Sequence, residues 1–552
     1  MMLARVTDEF NFWSQFMRLN SSVLSRWLFA LPFAIALSTS AIGQTVARYG
    51  ISMADIPLTT GQPDRGAGAY QFTGHTIYDP LIAWESNIDS RPGKLIPGLA
   101  LDWKVDPLNF KKWTFKLRKG AMFHDGSEFK AAAVIWNLDK VLNDKSPQFD
   151  AKQSAQVRPR IPSIATYTKV DDYTVEITTK AVNALFPYEL PWFLISSPAQ
   201  WEKLGRDWNK FASQPSGTGP FKLDKLVPRE RAELVKYPGY WDKKRMAQTD
   251  RIVLVPIPDG LTRANALLSG QVDLIETPPP DVMPQLQAGG FKLVKNVTPH
   301  VWPYHFSTYP GSPWTDIRVR KAVNLAIDRD GIVKLMNGLA VPAKGQMDIS
   351  SPWFGKPTFK LTYDLAAAKA LMTQAGYSKA KPLKAKIVIA QGGTGQMLSL
   401  PMNEFIQQSL AEIGVQIEFE VVELEGLYLH WRNGAKADMN AGKGISAINL
   451  AYVTSDPFYG ITRFVDSRYI APNGVNWGGY NNPKIDTLLD KVRSSFDSKV
   501  QDGLLAQIHE TMVDEALMMW AVHDVNPHVL SPKVKGFVQA QHWFQDLTTI
   551  KM

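Results

Sequence analysis

Residues 113–141 read WTFKLRKGAMFHDGSEFKAAAVIWNLDKV. Trp113, Phe115 and Leu117 alternate with Thr114, Lys116 and Arg118, the period of a strand with one buried face. A turn, His124-Asp125-Gly126-Ser127, follows, with Ser127 placed to cap a helix. Val134, Ile135, Leu138, Val141 and Leu142 then share one helical face. A strand, a tight turn and a helix within thirty residues predict an α/β chain.

The pattern continues outward without repeats. YTVEITT (173–179) alternates, and RIVLVPIP (251–258) is a more continuously apolar strand. DGLTRANALLSG ends at Gly270 and leads into the short strand QVDLIE. Near residue 300, VTPHVWPYHFS carries two prolines and three aromatic residues in an extended stretch, read as a crossing between lobes. Beyond it Asp316, Asp330 and Asp364 stand at helix starts, and Gly376 at a helix stop. VQIEFEVVE (415–423) predicts a strand with Val415, Ile417, Phe419 and Val421 inward. Asn482 caps a helix with Pro483 at its first position, and Ile485, Leu488, Leu489, Val492 and Phe496 lie on one stripe.

At 552 residues the chain is too long for one core, so two or three lobes are expected. With no cysteine it has no disulfide framework, thiolate metal site or thiol nucleophile, and no lipid can be attached to an N-terminal cysteine. A net charge of +9 without a dense Lys/Arg run gives no nucleic-acid footprint. Seventeen tryptophans are a high count, most of them expected in the core, with room for a cleft lined by aromatic residues. SRWLFALPFAIALSTSAIGQ has an arginine, an apolar run from Trp27 to Leu37 and small residues ending at Gly43. That is the pattern of a cleaved export signal over residues 1–43, its start at Met1 or Met17, and it predicts a periplasmic protein that is not a lipoprotein.

Six blocks in order carry a resemblance. LIPGLALDWKVD followed by 113–141, GTGPFKL with YPGYWD, RANALLSGQVDLIE, WTDIRVRKAVNLAIDRDGIV, YDLAAAKALMTQAGY and NWGGYNNPKIDTLLDKV resemble the dipeptide- and oligopeptide-binding proteins of ABC importers (solute-binding protein family 5). The resemblance implies a two-lobed periplasmic-binding-protein-like (type II) α/β fold with mixed sheets and a hinge. Residues 44–80, 190–300 and 515–552 would form lobe I, 81–189 its extra subdomain, and 301–514 lobe II. It also implies a monomer that captures a small organic solute (peptide-like, opine-like or sugar-containing) and delivers it to permease subunits in the inner membrane. ATPase subunits would act indirectly, and the chain itself would need no cofactor or metal. Service to a chemoreceptor or sensor is the alternative use of the same binding.

In peptide-binding members of the family a tryptophan and an aspartate often precede an Asp-Pro pair by six and three residues, and the aspartate holds the peptide's ammonium. In INLAYVTSDPFYG (448–460) the pair is Asp456-Pro457, and the two positions hold Leu450 and Val453. Valine accepts no hydrogen bond, so an ammonium there would lose water without return. The expected solute therefore lacks a free ammonium. Asp456 is read first as a cap of the turn after Pro457, and Thr454 and Ser455 as short polar contacts. Trp302 and Tyr304 are candidates for a stacking wall, Asn476 and Trp477 for a glycine-rich loop near the solute, and Phe72 for the cleft edge.

Rival chemistries have little support. Ser127 with Lys130, and Ser378 with Lys381, match a serine–lysine spacing, but the accompanying Lys-Thr-Gly element and any G-x-S-x-G elbow are missing, which leaves an exported hydrolase a minor alternative. The pairs His300/His305 and His523/His528 form no metal motif. AQGGTGQM (390–397) lacks phosphate-loop spacing and is read as a strand-to-helix turn.

Overall fold

A computed structural model describes residues 43–57, 66–393 and 395–552, and the expected export signal lies outside these apart from Gly43. Gln44–Met552 forms one compact unit. Among the described residues no helix is long and apolar enough to cross a membrane.

Two seven-stranded sheets and a four-stranded sheet organise this unit. In the first sheet the order is Lys292–Val294, His528–Leu530, Leu274–Glu276, Val46–Ile51, Arg251–Pro256, Arg231–Lys236 and Phe221–Val227. Val46–Ile51 is parallel to both of its neighbours, and the flanking pairs are antiparallel. The second sheet runs Ala340–Pro342, Met518–Asp524, His300–Phe306, Ile445–Asn449, Leu383–Ala390 and Val415–Val422. Its short seventh strand, Tyr452–Val453, pairs with His300 and Val301.

The opening segment folds as its alternation requires. Trp113, Phe115 and Leu117 are buried on the strand Asn109–Leu117, in the sheet Ala100–Asp106, Asn109–Leu117, Thr174–Thr179, Ile164–Asp171. The helix Ala131–Leu142 buries Val134, Leu138 and Val141 against it. Ser127 does not cap that helix. Its amide and hydroxyl both bond Asp125 Oδ1, closing a turn that ends before the N-cap Lys130.

Only two stretches of chain pass between the large sheets, one after Val294 and one after Asp524. They lie side by side: Asn296 N donates to Val525 O at 3.0 Å, and the Thr298 hydroxyl donates to Asp524 O at 3.0 Å. The expected crossing near residue 300 is thus displaced, because His300–Phe306 is already a strand of the second sheet, buried at all seven positions. The expected return at 515 comes later as well, since Met518–Asp524 still pairs inside the second sheet.

Trp302 and Tyr304 are fully buried on this strand, in a core shared with the helices Ile317–Ala326, Leu365–Gln374 and Ser399–Ala411, so neither forms a stacking wall. Pro303, which suggested an extended linker, sits where the register with 518–524 shifts, a place that tolerates a missing N–H. Asp328 replaces Asp330 as a helix cap. Asp328 is extended and accepts from Gly331 N, which places Asp330 inside the first turn. Val415 and Ile417 are buried as expected, but Val421 is half exposed, because its strand is the outer edge of the sheet. Asp316, Asp364 and Asn482 cap their helices, and Gly376 takes the positive φ of a helix stop.

Replacing Trp302 by Ala should lower the unfolding free energy by about 3–5 kcal/mol, the cost of a large aromatic cavity in a core. Urea denaturation checks this; a loss under 1 kcal/mol would place the side chain outside the core.

Candidate functional site

A cavity of about 300 Å³ opens between the two large sheets. One side comes from the small-sheet region and the first sheet: the segment 155–162, Trp192 and Trp543. The other comes from the second sheet and its helices: Glu425, Tyr428, Trp431 and Arg432, the segment 450–463, and the loop 469–475. His300, at the end of the crossing, lies at the back.

The segment 448–460 builds most of one wall. Tyr452 and Val453 pair with the start of the 300–306 strand, which aims Leu450 and Val453 at the cavity. Asp456 then starts a turn. Its Oδ1 accepts from Tyr459 N at 2.8 Å, and its backbone carbonyl accepts from Gly460 N at 2.7 Å. The turn Phe458–Thr462 is π-helical, with Arg463 N reaching back to Phe458 O, and such widened turns redirect side chains. Tyr459 and Arg463 therefore both face the cavity.

Aromatic contacts bridge and line it. Trp192 stacks on Tyr459 with centroids 4.5 Å apart, and Trp543 stacks on His300 at 4.4 Å. Burial holds His300 neutral, its pKa lowered to about 3. Arg463 is buried among the rings of Tyr459, Phe464, Tyr452 and Trp431, at 4.2, 4.6, 5.2 and 5.3 Å from its guanidinium carbon. Burial lowers its pKa to about 10, so it stays charged at neutral pH. Its one hydrogen bond to the described protein is Nε to Tyr459 O, at 3.1 Å. The indole nitrogen of Trp431 is buried and has no acceptor among the described residues, and that of Trp192 faces the Asp456 carboxyl.

The model for bacterial extracellular solute-binding proteins, family 5, middle region, matches residues 94–469. The chain belongs to this family. The solute-binding protein is 26% identical to the glutathione-binding protein GsiB of Pectobacterium atrosepticum, over 94% of this chain and 96% of that one. It is 25% identical to the dipeptide-binding protein of Escherichia coli, over 93% and 98%. Among solved structures, the ABC transporter-associated periplasmic binding protein DppA of Helicobacter pylori, in complex with the peptide STSA, matches with a TM-score of 0.76 at 24% identity. That match covers 92% of this chain and 98% of that one. The fold is the two-lobed, mixed α/β fold of such proteins.

Of the nine residues singled out in the sequence of the solute-binding protein, Val453 alone lines the cavity. Thr454, Ser455 and Asp456 lie behind the wall. Thr454 N is tied to Pro299 O at 2.6 Å, and Asp456 serves as the cap. Asn476 holds its own loop through Asp466 O, Tyr480 O and Tyr480 N, and Trp477 is a core residue bonded to His430 O. Phe72 is buried against Tyr49 in the core of the first sheet. Trp302 and Tyr304 are core, as above. Arg160, Trp192, Tyr428, Trp431, Tyr459, Arg463 and Trp543 were missed. An arginine amid the apolar run FYGITRFV was the readable signal for Arg463.

Burial pushes the Asp456 carboxyl up to about 7. The folded state therefore binds a proton that the unfolded state has released between about pH 4 and 7, and stability falls as pH rises through that window. Asp456→Asn keeps the acceptor for Tyr459 N without the charge. Relative to wild type it should gain about 4 kcal/mol between pH 4 and pH 8 in urea denaturation. Parallel pH profiles for the two proteins would show that Asp456 titrates normally.

Proposed function

We propose that this chain is a periplasmic protein that closes around a small organic solute without a free ammonium and hands it to the permease subunits of an ABC importer. ATP hydrolysis belongs to partner subunits, and the binding protein works as a monomer. Its lobes are built on the two large sheets, with the small sheet as a subdomain of the first. A solute touching both walls binds the closed form better than the open one and so shifts the population toward it.

The observation that carries the solute assignment is the apolar wall at Leu450 and Val453. An ammonium placed against it would be desolvated with no acceptor. Asp456 is a poor substitute, since one oxygen is committed to the Tyr459 amide and burial drives its carboxyl toward neutrality. The rings of Trp192, Tyr428, Tyr459 and Trp543 suit the flat or apolar faces of a blocked peptide, an opine-like conjugate or a sugar. Similarity to a glutathione-binding and a dipeptide-binding protein supports peptide-like solutes as the nearest class.

Calorimetry with N-acetylated and free di- to pentapeptides tests the reading. The acetylated forms should bind near micromolar, about −8 kcal/mol, with the free forms at least roughly tenfold weaker. Val453→Asp should narrow or reverse that preference. Micromolar binding of free peptides that acetylation abolishes would refute the assignment.

A further inference from the structure

We propose that Arg160 and Arg463 form a charge gate: closure brings the two guanidinium groups together, they repel while the cavity is empty, and a solute bearing a carboxylate or similar oxyanion draws them in. The inference deepens the reading above and rests on it.

The two arginines come from different bodies. Arg160 ends the short turn after the helix Ala151–Val157, in the small-sheet region. Arg463 follows the π-helical turn on the second-sheet side. No strand pairing joins these two segments, so their separation is set by how far the cavity is closed. In the closed arrangement Tyr459 lies between them. Its ring centre is 4.2 Å from the Arg463 guanidinium carbon, and its phenol interacts with Arg160.

Neither arginine makes a salt bridge among the described residues; Asp456, whose carboxyl burial drives toward neutrality, attracts Arg463 from behind the wall. Arg463 spends only Nε, on a backbone carbonyl. Arg160 bonds the Gln156 carbonyl through Nη1, while its Nε is buried with no acceptor. Arg432 adds a third cation to the lining, and the Arg160 charge disfavours the charged forms of Arg432 and Arg463, while the tyrosines around Arg160 favour its own. The one carboxylate lining the cavity, Glu425, is exposed to water, and His300 is neutral. Bringing like charges together in a buried place is costly, and a guanidinium that lines a cavity matches a carboxylate or phosphate in shape. An oxyanion supplies the missing counter-charge only when both lobes reach it. A neutral solute leaves the repulsion in place, and a zwitterion brings an ammonium for which the Val453 wall has no acceptor.

Two measurements test the gate. The first needs no ligand: small-angle scattering of the free protein at low salt and at about 0.5 M salt, where charges are screened beyond a few ångströms. Wild type should be more extended at low salt than at high salt, whereas Arg160→Met and Arg463→Met should be compact at both. Equal radii of gyration for wild type and Arg160→Met at every salt concentration would overturn the gate, even if Arg463→Met fails to fold. The second is calorimetry with N-acetyl-alanyl-alanine and its C-terminal amide. The acid should bind wild type about tenfold or more tightly than the amide, within the usual range of coupling energies. Arg160→Met should erase that difference. Equal binding of acid and amide to wild type would overturn the gate and leave solute capture intact. A bound solute that never compacts the protein would instead overturn the capture reading itself.

Discussion

Two short stretches of chain, hydrogen-bonded to each other, carry the backbone between the two large sheets, beside a core that the helix Gly260–Leu268 and Val529 share with the second sheet. The bonds from Asn296 to Val525 and from Thr298 to Asp524 make them one two-stranded strap rather than two independent linkers. The cavity lies directly in front of it. His300, the first residue past the strap, forms the back of the cavity, and Thr454, behind the front wall, is tied to Pro299 in the strap. Wall and strap are therefore joined directly.

The walls share a second constraint, which is that their charges are mostly positive, Arg160, Arg432 and Arg463 against one exposed carboxylate, Glu425. Leu450 and Val453 offer no acceptor, Asp456 is turned inward to cap the turn that presents Tyr459 and Arg463, and His300 is stacked and neutral. What a solute meets there is aromatic faces, tyrosine hydroxyls, guanidinium groups and the side chains of Gln156, Glu425 and Asn473. Chemistry of this sort selects by what it lacks as much as by what it supplies. That is the basis of the proposal that the solute lacks a free ammonium and carries an oxyanion.

Much of the fold was legible because local rules and tertiary packing agreed. The alternation of 113–117, the capping of Asp316, Asp364 and Asn482, and the ordered blocks from Leu95 to Val492 all pointed to a two-lobed α/β chain. Legibility failed where a local signal had two readings that only the sheet order separates. Pro299 and Pro303 around Trp302 read as a linker because proline disfavours strands, yet a register shift lets a central strand accept one. Asp330 and Asp328 both suit a helix start, and the extended backbone at Asp328 decided between them. At the site, the wall was readable at Leu450 and Val453 because an aligned motif fixes those positions. Arg160 and Trp192 were not, since they lie some three hundred residues away in sequence and reach the cavity only through folding. Asn476 and Trp477 misled because a glycine-rich loop looks the same whether it cradles a solute or its own side chains.

The account stands on movement about the strap with a solute inside. The chain has no cysteine, so two spin labels can be placed without background, on Lys152→Cys in the small-sheet region and Glu404→Cys on the second-sheet side, both exposed. Pulsed electron–electron double resonance would then give the distance between the lobes, free and saturated with a solute that calorimetry shows to bind. The account predicts a broad, longer distance in the free protein that collapses to one shorter distance on saturation. A distance distribution unchanged by a bound solute would contradict it.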